Sequence, residues 1–134
     1  MTEIRQLPSA DAGKAIAADA NAVLVDVRTT AEWAYVGVPA LPNLHRISWQ
    51  SFPTGAVDPD FVAKVKQAGI ATGQPVYLIC RSGARSQAAA LALAEAGYTD
   101  LTNISDGFEG TLDPAKHRGT VNGWKQAGLP WVQS

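Results

Sequence analysis

The chain has 134 residues, an apolar fraction of 46%, a charged fraction of 17% and a net charge of −1. This length predicts one domain over residues 1–134 with a sizeable core. The balanced charge argues against a nucleic-acid-binding surface, and no apolar run approaches the length of a membrane span. We therefore expect neither nucleic acid nor a membrane among the partners.

The cysteine and histidine counts narrow the chemistry further. A single cysteine, Cys80, forms no internal disulfide, and with only two histidines in the chain an all-protein zinc site is not expected. Charged residues interrupt the amino-terminal segment, so the sequence predicts no signal peptide. We predict a cytoplasmic protein without metal or cofactor, in which the free thiol stays reduced.

The first half of the chain alternates helical and strand patterns. Its predicted elements are, in chain order, a helix over 9–20 capped by Ser9 or Asp11, a buried strand over 23–27, a short helix capped by Thr29 or Thr30, a strand over 44–47, and an amphipathic helix over 59–67.

Asp26 interrupts the apolar strand over 23–27. A buried carboxylate needs a partner, and either Arg28 or an arginine of the loop around Cys80 can supply one. Two interpretations stay open, a structural ion pair or a carboxylate that orients a loop arginine.

The central feature is the segment from Val76 to Ala96. Four apolar residues predict a strand buried on both faces, and Ser86 is expected to cap a helix over 87–96. The loop between them joins the carboxyl end of a strand to the amino end of a helix. Backbone N–H groups converge there, and the helix dipole favours an anion.

Cys80 stands at the mouth of this loop. A lone cysteine that ends an apolar run is commonly just a small buried hydrophobe. Here, however, Arg81 and Arg85 add two planar cations suited to oxyanions, and Gly83 allows the chain to curl tightly. We therefore expect Cys80 to be a reactive thiolate in an anion-binding cradle.

The remaining chain adds a strand over 101–104, a glycine-rich turn over 106–110, a polar surface loop over 111–119 and a last short helix around 123–127 capped by Thr120 or Asn122. Strands that alternate with helices predict an α/β protein with a parallel sheet covered on both faces.

Four segments in this order resemble the rhodanese family of sulfurtransferases. They are Leu24–Arg28 with Glu32-Trp33, Cys80–Ser86, Ile104–Phe108, and Gly123-Trp124 with Gly128–Pro130. The resemblance implies one rhodanese-like domain with a five-stranded parallel sheet flanked by helices. Two departures are Val38, where the family usually carries histidine, and an extended segment between Phe108 and Gly123.

The resemblance also implies a reaction. Cys80 would take a sulfane sulfur from thiosulfate or a similar anionic donor as a persulfide, and then pass it to cyanide or a thiol. The residues implied for donor binding are Arg81, Ser82, Gly83, Ala84, Arg85 and Ser86. Asp26 and Arg28 are implied as supporting residues, and no metal or cofactor is required.

Three alternatives remain. The protein could serve as a persulfide carrier to a protein acceptor, or as a partner-binding module. A cysteine phosphatase or an arsenate-reductase type of enzyme also uses a cysteine and an arginine at a helix amino terminus. The six residues from Cys80 to Arg85 are one fewer than in those phosphatase loops, so this cradle suits a sulfur atom better than a phosphate.

Overall fold

A computed structural model describes residues 3–51 and 54–133. Its elements in chain order are β1 (Ile4–Leu7), α1 (Ser9–Ala17), β2 (Val23–Asp26), α2 (Thr30–Tyr35), β3 (Val38–Pro39), β4 (Leu44–Arg46), α3 (Phe61–Gln67), β5 (Val76–Ile79), α4 (Ala84–Glu95), β6 (Leu101–Ile104) and β7 (Trp131–Val132).

Five of these strands form one parallel sheet in the order β1-β6-β5-β2-β4. The predicted α/β class with a five-stranded parallel sheet is confirmed. β3 and β7 form a separate antiparallel pair, with Val38 opposite Val132 and Pro39 opposite Trp131. Val38, at the position where the rhodanese family usually carries histidine, is therefore part of strand β3.

Side chains alternate between the two faces of the sheet and form two core layers. On one face Val25 of β2 and Leu78 of β5 pack with residues of α3 and α4, and Cys80 belongs to this layer. On the other face Leu24 and Ile79 pack with α1 and with the carboxyl-terminal segment. Because helices cover both faces, the central strands β2 and β5 consist mainly of apolar residues, as buried parallel strands generally do.

The structure adds a strand that the sequence pattern did not indicate. β1 has only four residues, two of which are Arg5 and Gln6, so its apolar signal is weak. It forms a strand because its backbone pairs with β6, with Ile4 opposite Leu101. Arg5 also donates from Nε to the Thr102 hydroxyl at 3.1 Å.

Two predicted helix caps are wrong, although α1 begins at the predicted residue. α1 begins at Ser9 itself after Pro8, and the Ser9 hydroxyl donates to the Asp106 carboxylate at 2.8 Å instead of capping the helix. α4 begins at Ala84 after Gly83, which places Ser86 inside the helix. In both cases a distant polar partner takes the serine hydroxyl, an interaction that local sequence does not contain.

The cap predicted for α2 is correct. Thr29 precedes the helix, and its side chain accepts from the Glu32 N–H while the Glu32 carboxylate accepts from the Thr29 N–H. The helix predicted around 123–127, in contrast, is wrong. This segment forms turns, because Gly123 (φ +106°) lies against the backbone of Gly110.

No helix within residues 3–51 and 54–133 combines the length and apolar character that a membrane crossing needs.

Candidate active site

The loop after β5 is held in shape by Gly83. This residue has φ +108°, and a Cβ atom there would collide with the Ser105 carbonyl oxygen. A side chain would be strained by the backbone angle and would also collide with the neighbouring loop. The sequence expectation that Gly83 lets the chain curl is thus matched by its geometry.

A second loop supports the first from the carboxyl end of β6. The Phe108 N–H donates to the Cys80 carbonyl at 2.8 Å, and the Glu109 N–H donates to the Arg81 carbonyl at 3.1 Å. The Asp106 carboxylate fixes this second loop by accepting from Ser9 and from the Gly123 N–H. Neighbouring parallel strands therefore bring both loops to one edge of the sheet.

The Cys80 sulfur is enclosed by its own loop. Its Sγ accepts from the Gly83 N–H at 3.1 Å and lies 3.2 Å from the Ser86 hydroxyl. The residue is 1% exposed, so the expectation of a thiol at the mouth of the loop is wrong. The sulfur lies instead behind the loop, facing N–H and O–H donors.

Ser86 connects the sulfur to a buried polar network. Its hydroxyl also reaches the Asn103 side-chain oxygen and lies 3.2 Å from the Gly83 carbonyl. Asn103 in turn donates to Gln6 at 2.9 Å. A serine hydroxyl has one proton, so donation to Asn103 and donation to Cys80 are alternatives, and the hydroxyl can turn toward a charged sulfur.

Arg85 is bound to a carboxylate from α2. Its Nη1 lies 2.6 Å from Glu32 Oε1 and its Nη2 lies 2.9 Å from Oε2, a bidentate ion pair. Burial opposes the charge on Glu32, but hydrogen bonds and charge from Arg85, together with Thr29, outweigh it, so the pKa of Glu32 lies below its ordinary value. The hydrogen bond to Glu32 also raises the pKa of Arg85.

Arg81 has no such partner. It is exposed, and no carboxylate within the described residues lies within ion-pair distance of it. Of the other loop residues, Ser82 is half-buried and Ala84 is exposed. The two arginines thus differ, because one is neutralised locally and the other is available to an anion.

A cavity of about 550 Å³ opens above this loop. Its lining consists of Thr29, Ala31, Glu32, Val36, Gln50, Ser51, Gly55, Arg81, Arg85, Glu109 and Arg118. Cys80 is not part of the lining, but Arg81 and Arg85, which follow it in the same loop, are. The cavity is therefore a polar, arginine-containing chamber next to the loop that encloses the sulfur.

Asp26 and Arg28 form a fully buried ion pair beside the site. Arg28 Nη2 donates to Asp26 Oδ2 at 2.7 Å and to the Gly37 carbonyl at 2.7 Å. Its guanidinium carbon also lies 4.3 Å from the centre of the Phe108 ring. The structural interpretation of Asp26 is thus the one observed, and Asp26 does not hold Arg81.

Three residues of the site were missed in the sequence. Glu32 had a signal, because the spacing Thr29-x-x-Glu32 is that of a capping box. Asn103 also had one, since a polar side chain in the short apolar strand over 101–104 needs a buried partner. Arg118 had none, because it lies in a polar segment that looks like any surface loop.

No group of three or more His, Cys, Asp or Glu within residues 3–51 and 54–133 is arranged to hold a metal ion.

Comparison with known proteins identifies the family. The model of the rhodanese-like domain matches residues 9–113. The chain belongs to the rhodanese-like domain family. This places the enclosed cysteine and its glycine-containing loop in a family of sulfurtransferase type.

Several known proteins are similar over most of the chain. The crystal structure of Rv0390 from M. tuberculosis superposes with a TM-score of 0.88 at 37% identity, covering 99% of this chain and 100% of that one. An uncharacterized protein of Rickettsia prowazekii is 40% identical over 83% of both chains. A protein of Allochromatium vinosum named sulfurtransferase is 26% identical, covering 96% of this chain and 95% of that protein.

Proposed function

We propose that this protein is a sulfurtransferase that carries a sulfane sulfur on Cys80, with thiosulfate or a similar anion as the donor. The observation that carries the proposal is the Gly83 N–H directed at the Cys80 sulfur at 3.1 Å, in a loop that also lines a cavity with Arg81. A structural cysteine in a core needs neither feature. Family membership and the relative named sulfurtransferase support the same reaction type.

The proposed reaction has two half-reactions. The Cys80 thiolate attacks the outer sulfur of thiosulfate, a bond forms between the two sulfur atoms, and the S–S bond of thiosulfate breaks. Sulfite leaves with the bonding electron pair, and the enzyme holds a persulfide. Cyanide or a thiolate then attacks the outer sulfur of the persulfide, and Cys80 leaves as a thiolate ready for the next donor.

The loop supplies the stabilisation that this chemistry needs. The Gly83 N–H and the Ser86 hydroxyl both reach Sγ, so negative charge on the sulfur is met by one fixed N–H donor and one hydroxyl that can turn toward it. The N–H groups of Ala84 and Arg85, in the first turn of α4, have no partner inside the helix. We assign them, with Ser82, to the cradle that receives the transferred sulfur, and we assign Arg81 to the donor's oxyanion.

Initial rates of thiocyanate formation at varied thiosulfate and cyanide test this proposal. A persulfide mechanism gives parallel double-reciprocal lines, and Cys80→Ser abolishes turnover while leaving the melting temperature close to that of the wild type. Turnover in Cys80→Ser, or intersecting lines, would contradict it.

The same preparations test the alternatives. The short cradle predicts no hydrolysis of p-nitrophenyl phosphate, and sustained hydrolysis would favour a phosphatase. If thiosulfate loads Cys80 but neither cyanide nor small thiols unload it, a protein acceptor becomes the better assignment.

The cytoplasmic location stays a prediction, and fractionation of cells that express the full chain tests it.

A further inference from the structure

The segment from Gly110 to Gly123 is held together by several hydrogen bonds between its own residues. The Asn122 side-chain oxygen accepts from the Thr111 N–H at 2.8 Å and closes the base of the segment. Asp113 accepts from the N–H groups of Ala115 and His117 and from the Thr120 hydroxyl. These bonds give the segment a defined shape without help from a strand or helix.

This segment directs one charged side chain at the cavity. Arg118 is half-buried and lines the same cavity as Arg81 and Arg85. Its Nη1 donates to the Gly110 carbonyl at 2.7 Å, and the Gly110 N–H donates to the Arg81 carbonyl at 3.3 Å. A single residue, Gly110, therefore links Arg118 to the loop that carries Cys80.

The arginines that line the cavity differ in how free they are to bind an anion. Arg85 is neutralised by Glu32, whereas Arg118 and Arg81 have no ion-pair partner among residues 3–51 and 54–133. Glu109 is the remaining carboxylate of the lining, and it forms no ion pair with either arginine. Two uncompensated guanidinium groups thus face one chamber from two different segments.

We propose that Arg118 is the second cation of the donor site, so that the donor's oxyanion is held between Arg81 and Arg118 and not between Arg81 and Arg85. Arg85 is then a positioning residue that joins α2 to the loop through Glu32. This inference rests on the proposed function. In it, the charges of Arg81 and Arg118 together favour a doubly charged donor. Arg118 lies outside residues 9–113, where the family model matches, so the assignment concerns this chain's own segment.

Arg118→Gln is the sharpest test. Glutamine keeps an N–H donor for the Gly110 carbonyl but removes the charge. We expect the KM for thiosulfate to rise about tenfold, the effect of losing one charged hydrogen-bond partner, with kcat changed much less. Arg118→Lys keeps the charge and should recover part of the loss.

Lys116→Asn is the matched control. Lys116 is exposed, carries the same charge on the same segment, and is not part of the cavity lining. Asparagine tolerates its positive φ of 64°. We expect a KM close to that of the wild type, since a general charge effect would move both variants equally and would overturn the inference.

A binding measurement separates this inference from the proposed function. Calorimetric titration of thiosulfate into Cys80→Ser and into Cys80→Ser/Arg118→Gln requires no turnover. Weaker binding in the double variant supports Arg118 as an anion ligand even if the wild type transfers no sulfur. Equal binding in the two proteins, an undetectable interaction with both, or an unchanged KM in an active Arg118→Gln enzyme overturns it.

Discussion

Gly83 is the residue on which the shape of the cysteine loop depends most directly. Any side chain there meets two separate penalties, the backbone angle of +108° and the contact with Ser105. Only the angle was foreseeable from the sequence, because the contact comes from a loop 22 positions away in the chain (105 minus 83).

Replacing Gly83 by alanine should therefore be costly. We expect a loss of unfolding free energy well above the ~1–2 kcal/mol of a left-handed backbone angle alone, together with loss of sulfur transfer. Gly97→Ala is the control, since Gly97 has φ +100° with open space around it. Denaturant titration of both variants measures the difference, and equal losses would show that the Ser105 contact has no effect.

Glu32 and Arg85 form the ion pair that fixes the side of the cavity. Because the pKa of Glu32 is held below its ordinary value of 4.5, the charged carboxylate stabilises the folded state above that pH. This contribution disappears as the pH falls through the lower pKa of the folded protein.

Glu32→Gln should consequently be less stable than the wild type at neutral pH, and the two proteins should converge in acid. Glutamine retains the capping position, so the change isolates the charge of the pair. Urea titrations at neutral pH and below pH 4.5 measure the convergence. A gap that stays constant over this range would rule out the charge as its cause.

At the scale of elements, the buried pair of Asp26 and Arg28 joins three parts of the fold. It ends β2, binds the carbonyl of Gly37 before β3, and stacks on Phe108 of the loop that supports Cys80. Such a pair stabilises little against an apolar replacement, but either partner alone is a buried uncompensated charge.

A double-mutant cycle tests this reading. Asp26→Asn and Arg28→Met should each lower the unfolding free energy by about 3–5 kcal/mol, and the double variant should lose clearly less than the sum. Denaturant titration of the four proteins gives the coupling. Additive losses would show that the two side chains act independently.

The helices show which local signals were sufficient. The α2 cap was predictable because Thr29 and its partner Glu32 lie three positions apart, whereas the caps expected for α1 and α4 did not form. The Ser9 hydroxyl donates a hydrogen bond to Asp106 and the Ser86 hydroxyl donates one to Asn103. Each serine therefore has a hydrogen-bond partner far along the chain. A capping propensity describes only what a serine does when no such partner exists.

For the whole molecule, the pattern of the sequence was enough to predict four of the five strands of the parallel sheet and the helices that cover it. A strand that is buried on both faces needs a run of apolar residues, and this run is visible in the sequence whatever the strand packs against. β1 and the pair of β3 with β7 were not visible in this way, since their residues form strands through pairing with distant segments.

The site was predictable only in part for the same reason. The strand-to-helix loop carries its own signature, and that placed Cys80, Gly83 and the two arginines together. The enclosure of the sulfur depends on the folded shape of its own loop. The neutralisation of Arg85 and the approach of Arg118 depend on segments that the topology brings to one edge of the sheet.

Intact mass spectrometry of the protein after mixing with thiosulfate, beside Cys80→Ser, tests the central claim most directly. We predict that the wild type gains one sulfur atom, which a thiol reductant removes, and that the variant gains none. An unmodified wild type with a reduced and accessible thiol, or equal sulfur addition to the variant, would contradict the assignment of Cys80 as the sulfur carrier.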